Sequence, residues 1–149
     1  MTKPKLQISS RLGAVLVGLS ALAIYANTLG HEFTWDDGYN IVQNESIRDL
    51  SNVSSFWVEA WGSAASDAMS QAINTNYWRP VTLSLYALEY AVFGLSPTAF
   101  HGSNVLWHAA ACVLVWLLSV RLIPAPGATR WGLFIACLGF AVHPLHTEV

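Results

Sequence analysis

The chain is 149 residues long, 54% hydrophobic and only 11% charged, with a formal net charge of -2. An ordinary soluble domain carries roughly 25% charged residues, so this composition nearly excludes a soluble globular protein. The near-neutral balance, with no basic patch interleaved with aromatics, also excludes a nucleic-acid partner.

The charges are unevenly placed: residues 12–30, 99–120 and 131–147 contain no Asp, Glu, Lys or Arg. At about 1.5 Å rise per residue, 12–30 makes a helix of roughly 28 Å, close to the ~30 Å hydrocarbon core of a bilayer. Lys3, Lys5 and Arg11 precede it, and positive residues are retained on the cytoplasmic side. This predicts a cytoplasmic N-terminus over 1–11 and transmembrane helix 1 over 12–30. The small residues Ala21 to Ala23 also suit a signal-peptide cleavage site, but the later apolar segments favour an uncleaved first span.

Residues 31–79 form an outer loop, rich in acidic residues against Arg48 and Arg79. Such a length is long for a structureless connection. The string SNVSSFWVEAWGSA predicts one short helix, with Phe56, Trp57 and Trp61 on the membrane-facing side. Asn44-Glu45-Ser46 and Asn52-Val53-Ser54 match the N-glycosylation acceptor pattern. Seven tryptophans, several near predicted boundaries, fit an aromatic belt at the membrane interface.

The next segment, 80–95, is apolar but short, with Glu89 in its middle. If it crossed the membrane, the loop flanked by Arg121 and Arg130 would fall outside, against the positive-inside pattern. It is read as an interfacial helix, opened by Pro80 and stopped by Gly94 and Ser96-Pro97. Transmembrane helix 2 is expected over 98–121, a cytoplasmic loop of helix breakers over 122–130, and a truncated transmembrane helix 3 over 131–149. The predicted fold class is therefore an all-α integral membrane protein with three transmembrane helices plus the interfacial helix. Cys112 and Cys137 fall inside these segments and read as small buried hydrophobes, not as a disulfide or redox pair. The chain stops at HPLHTEV, inside an apolar segment without a polar tail, which predicts a piece of a longer protein.

Four features can carry chemistry. Asp36 and Asp37, in FTWDDGYN, suit a general base, metal ligands or a clamp on a hydroxyl-bearing substrate, or else a plain surface turn. Arg79, in NYWRP, sits at headgroup depth, where a guanidinium grips a phosphate bidentately or simply snorkels. His101, Asn104 and His108 lie within about 60° on a helical projection, a polar stripe whose structural role as interhelical glue outweighs a catalytic one. The densest ionisable cluster is His143-Pro144-Leu145-His146-Thr147-Glu148, where Pro144 predicts a kink or break. It falls on the same side as the acidic pair; His143, His146 and Glu148 are read as substrate-binding. No recognised ligand spacing appears, so no metal site is assigned, although a divalent metal remains an option.

The order of these features resembles a known family. YANTLGHEFTWDDGYNIVQN, NYWRPVTLSLYALEYAVFGLSPTAFHGSNVLWH and FAVHPLHTEV resemble the N-terminal part of GT-C membrane glycosyltransferases, most of all the protein O-mannosyltransferase-like branch that carries tetratricopeptide repeats. The resemblance runs from about Tyr25 to Val149. It implies a polytopic GT-C fold and transfer of a mannose-type sugar from a polyprenyl-phosphate donor to Ser or Thr of a protein acceptor. It would make Asp36 or Asp37 the acidic group at the acceptor hydroxyl, with the His143 to Glu148 segment lining the same cavity. No other cofactor is implied. The acidic pair here is Asp-Asp where many protein mannosyltransferases have Asp-Glu, which leaves substrate preference open. The expected location is a bacterial cytoplasmic membrane or the endoplasmic reticulum membrane. A non-catalytic membrane scaffold bearing repeats is the alternative, and a transporter the third reading.

Overall fold

The computed structural model describes residues 7–59, 78–124 and 127–143. All regular structure among them is helical: α1 (Ser10–Tyr25), α2 (Pro80–Phe93), α3 (Pro97–Leu122) and α4 (Ala128–Ala141), with short 3-10 and π turns between α1 and α2. The chain divides into two compact units, Met1–Leu29 with His101–Val149, and Gly30–Phe100.

The first unit is built on three apolar helices. Ser9 caps α1, its hydroxyl accepting the Leu12 N–H at 3.1 Å, which satisfies one of the orphan donors of a helix start. Gly13, Val17, Gly18, Ala21 and Tyr25 recur at helical spacing and form the buried face. Leu12, Val15, Leu16, Leu19 and Ile24 are exposed on the same helix, an apolar surface suited to lipid. The core adds Ala109, Cys112 and Trp116 from α3, and Phe134, Cys137 and Ala141 from α4. Both cysteines are buried and free, as their apolar surroundings led one to expect.

Trp116 is wholly buried and explains why position 13 is glycine: a Cβ there would stand 2.3 Å from the indole. The indole N–H donates to the Ser10 carbonyl at 2.7 Å, while Arg130 of α4 donates to the Ser10 hydroxyl and lies 5.9 Å over the Trp116 ring. One junction thus ties the starts of α1 and α4 to the end of α3.

Residues 10–30, comprising α1 and the 3-10 turn Ala26–Gly30 that continues it, and α3, are long and apolar enough to cross a membrane. The expected third span does not reach that length: α4 has 14 residues, about 21 Å of helix. It begins at Ala128 rather than Trp131, because Gly127 takes a φ of 63° and turns the chain into it. It closes where the Val142 N–H donates to Leu138 at 3.0 Å and the His143 N–H to Phe140 at 3.3 Å. The sequence reason is Pro144, which lacks the N–H that would extend the ladder and disfavours helical geometry at the residue before it.

The second unit turns much of the outer loop into packed structure. Ile41, Ile47, Phe56, Leu83, Ala87 and Phe100 form its core, with Phe33, Val53, Tyr86 and Tyr90 against it. Ile47 is completely buried, which contributes about 1.5–3 kcal/mol relative to an exposed side chain. The helix expected around SNVSSFWVEAWGSA is a 3-10 helix, Leu50–Trp57. Its side chains divide otherwise than expected, with Phe56 buried in this core and Trp57 exposed; Trp61 lies outside the described residues. Asp49 caps that helix through the Ser51 N–H at 2.8 Å, and these hydrogen bonds hold its carboxyl below the ordinary range.

The helix read over 80–95 is α2, with Pro80 as its first residue. Gly94 ends it at a φ of 62°, its N–H donating to Tyr90 at 2.8 Å.

Candidate functional site

The acidic pair lies in a turn locked by its own side chains. The Asp37 N–H donates to the Thr34 carbonyl at 2.9 Å, and the Thr34 N–H donates back to Asp37 Oδ2 at 3.0 Å. Between them Trp35 has a φ of 43°, a left-handed conformation that costs a non-glycine residue about 1–3 kcal/mol. Asp36 opens the π turn Gly38–Val42: its carbonyl accepts the Tyr39 and Asn40 N–H groups at 3.2 and 2.9 Å. The Asn40 side chain, buried in the unit, donates to Asp36 Oδ2 at 2.9 Å.

A polar ladder carries that turn into the rest of the unit. The Asn44 amide donates to the Asn40 carbonyl at 3.0 Å, and Asn44 Oδ1 accepts from the Ser46 N–H and hydroxyl at 3.1 and 2.6 Å. The Asn52 amide then donates to the Ser46 carbonyl at 3.0 Å. Both asparagines of the Asn-x-Ser strings therefore use their amide nitrogens as internal rungs. Asp36 and Asp37 each spend one carboxylate oxygen on the turn, and for the other oxygen no hydrogen bond is found among the described residues.

Arg79 is exposed at the start of α2, its carbonyl accepting the Leu83 N–H at 3.1 Å. What connects it to the acidic turn is Tyr86, which sequence reasoning missed. Its ring lies 5.7 Å from that of Phe100. Burial first, then the charges of Asp37, Asp36 and Glu89, push its hydroxyl up to about 12, while Arg79 pulls the other way. One phenol thus lies within electrostatic reach of Asp37, Asp36, Glu89 and Arg79. A faint sequence signal existed: Arg79, Leu83, Tyr86 and Tyr90 follow the 3-and-4 spacing of one helix face.

The remaining predicted residues belong to the first unit or lie outside the described residues. The His143 carbonyl accepts the Tyr25 hydroxyl at 3.0 Å. His108, buried on α3, bonds the Ala141 carbonyl at 3.0 Å, and its ring meets Tyr25 edge-on at 5.0 Å. The polar stripe on α3 therefore has the structural role weighed for it, at least at His108: with Tyr25 it satisfies carbonyls freed where α4 ends. His146 and Glu148 lie outside the described residues. Among the described residues no three His, Cys, Asp or Glu side chains are grouped to hold a metal ion.

The chain is similar to curated proteins that are much longer. It is 36% identical over 140 residues to Protein O-mannosyl-transferase Tmtc1 of Drosophila melanogaster, covering 91% of this chain and 15% of that protein. It is 34% identical over 142 residues to Protein O-mannosyl-transferase TMTC2 of Homo sapiens, covering 95% and 15%. It is 32% identical over 151 residues to Protein O-mannosyl-transferase TMTC4 of Homo sapiens, covering 90% and 19%. The chain thus spans less than a fifth of each relative's length. No protein-family model matches it, and no solved structure does.

Proposed function

We propose that this chain is the N-terminal part of a membrane glycosyltransferase of the GT-C class that moves a mannose-type sugar from a polyprenyl phosphate to a Ser or Thr hydroxyl of a protein. The observation that carries the reading is the locked acidic turn, in which Asp36 and Asp37 are held by one oxygen each, within electrostatic reach of Tyr86. The similarity to proteins named O-mannosyl-transferases supports it.

In the proposed reaction, one of the two carboxylates takes the proton of the acceptor hydroxyl as its oxygen attacks the anomeric carbon. The bond from that carbon to the phosphate oxygen breaks, and polyprenyl phosphate leaves with the bonding pair. Arg79 faces the phosphate and stabilises the charge that develops there. His143, His146 and Glu148 are substrate-binding residues in this reading. Transmembrane helix 1 brings the turn to the outer side, the N-terminus stays cytoplasmic, and a repeat region follows in the whole protein.

The test uses the full-length protein in membranes, given labelled polyprenyl-phosphate mannose and a Ser/Thr-rich acceptor. Transfer by the wild type, and its loss in Asp36→Asn or Asp37→Asn at unchanged protein level, is the expected result. A folded, inserted wild type that transfers no sugar from this or related lipid donors would sink the reading and leave the scaffold.

A further inference from the structure

We infer that the exposed indole of Trp35 is a stacking surface for a hexose ring, with the carboxylate that does not serve the acceptor hydroxyl taking a sugar hydroxyl. The inference rests on the function proposed for the acidic turn and names the part of the donor that meets it.

Trp35 is anomalous in two independent ways. It is 88% exposed, and among the described residues it is the one non-glycine with a positive φ. A turn that needs this backbone is filled without strain by glycine, or by asparagine. A bulky aromatic is among the poorest choices. Among the described residues no hydrogen bond or ring contact engages the indole, so neither the local turn nor the described core explains the residue. Strain retained at one residue beside a candidate reactive group points toward function.

Anchoring at a membrane surface explains exposure but not the backbone. Trp57, Trp78 and Trp107 are each more than half exposed, and none of them has a positive φ. Trp35 differs in that its backbone is held, through the Thr34 and Asp37 hydrogen bonds, in the same turn that carries the two hydrogen-bonded carboxylates.

That combination fits a sugar and disfavours a bare phosphate. A pyranose presents a row of C–H bonds on one face and hydroxyls around its rim. The face matches the electron-rich surface of an indole, whose ring prefers polarised hydrogens against it. The rim hydroxyls match acceptor-only carboxylates. Asp36 and Asp37 each keep one oxygen unengaged among the described residues, so one can take a sugar hydroxyl while the other serves the acceptor. A phosphate placed there would meet two negative charges.

The experiment uses the full-length protein in lipid nanodiscs and compares its binding of polyprenyl-phosphate mannose with that of bare polyprenyl phosphate. The wild type is expected to prefer the mannosylated lipid. Trp35→Ala and Trp35→Gly should reduce that preference about tenfold, while Trp35→Phe retains most of it. Trp35→Gly relieves the backbone, so its thermal stability should not fall, which separates lost binding from lost folding; Trp35→Asn gives a second strain-free variant. Equal binding of the two lipids by the wild type overturns the inference, as does a preference that survives in the Ala and Gly variants. Parallel loss of both lipids in those variants identifies a membrane anchor and also overturns it. Failure of the underlying function shows elsewhere, as sugar transfer that is absent in the wild type or intact in Asp36→Asn and Asp37→Asn.

Discussion

Tyr25, in the last turn of α1, donates its hydroxyl to the backbone carbonyl of His143 at 3.0 Å, across 118 residues of sequence. Together with His108 on the Ala141 carbonyl, it supplies side-chain partners to backbone carbonyls where α4 ends. Three helices are pinned at one point by the backbone demand of the shortest of them.

Tyr25→Phe keeps the ring and removes the donor of this hydrogen bond. A loss of about 0.5–1.5 kcal/mol in unfolding free energy is expected, read as a lowered midpoint in detergent. His108→Ala removes a buried side chain as well and should cost more. An unchanged midpoint in Tyr25→Phe would show that the contact is not populated.

Glycines on the same bundle should respond with opposite signs. At Gly13 a Cβ falls inside the Trp116 ring, whereas at Gly132 on α4 nothing lies within 4 Å. Gly13→Ala should destabilise by about 1–3 kcal/mol through overpacking. Gly132→Ala should stabilise by up to about 1 kcal/mol, because alanine is the better helix former. Thermal unfolding of the two variants in one detergent checks both signs together.

The legible parts of this chain are those set by local chemistry. Pro80, Gly94, Pro97 and Gly127 fix helix boundaries through missing donors and positive φ, and α2 and α3 lie within a residue or two of where they were expected. The acidic pair and Arg79 also stand out from an apolar background. What sequence reading missed depends on distant partners. Tyr86 matters because its ring packs on Phe100 and feels the charges of the acidic turn, and Phe56 is buried because Ile47 and Leu83 share its core. The strain at Trp35 leaves no mark in the sequence, since Asp-Asp-Gly reads as an ordinary turn. For the third expected span the described residues give a 14-residue helix closing at Ala141, just before the break that Pro144 predicts, and the residues beyond His143 lie outside those described.

The polar ladder makes Asn40 a positioning residue for the proposed chemistry. Its amide holds Asp36 Oδ2 while its carbonyl holds Asn44. Asn40→Ala should lower kcat for sugar transfer about tenfold, the effect of roughly 1.4 kcal/mol of lost transition-state stabilisation, with KM for the lipid donor little changed. A variant that changes only KM would place Asp36 in substrate binding instead.

Tyr86 gives the ladder's neighbourhood a signature at alkaline pH. Its folded value, about 12, lies above the ordinary value of 10.0, so between these limits the folded state holds a proton that the unfolded state has released. Stability from this group is therefore fully present below pH 10 and is lost as the pH rises toward 12, by at most about 1.4 kcal/mol per pH unit. Tyr86→Phe cannot ionise, so its unfolding free energy should fall less steeply over the same range. The tyrosinate absorbance of the folded wild type should also show a late step that the variant lacks. Because burial is the first cause of the shift and the acidic pair the next, Asp36→Asn with Asp37→Asn should move that step to lower pH. A step that stays in place would mean that the two carboxylates do not face the phenol, and it would separate the acidic turn from Arg79.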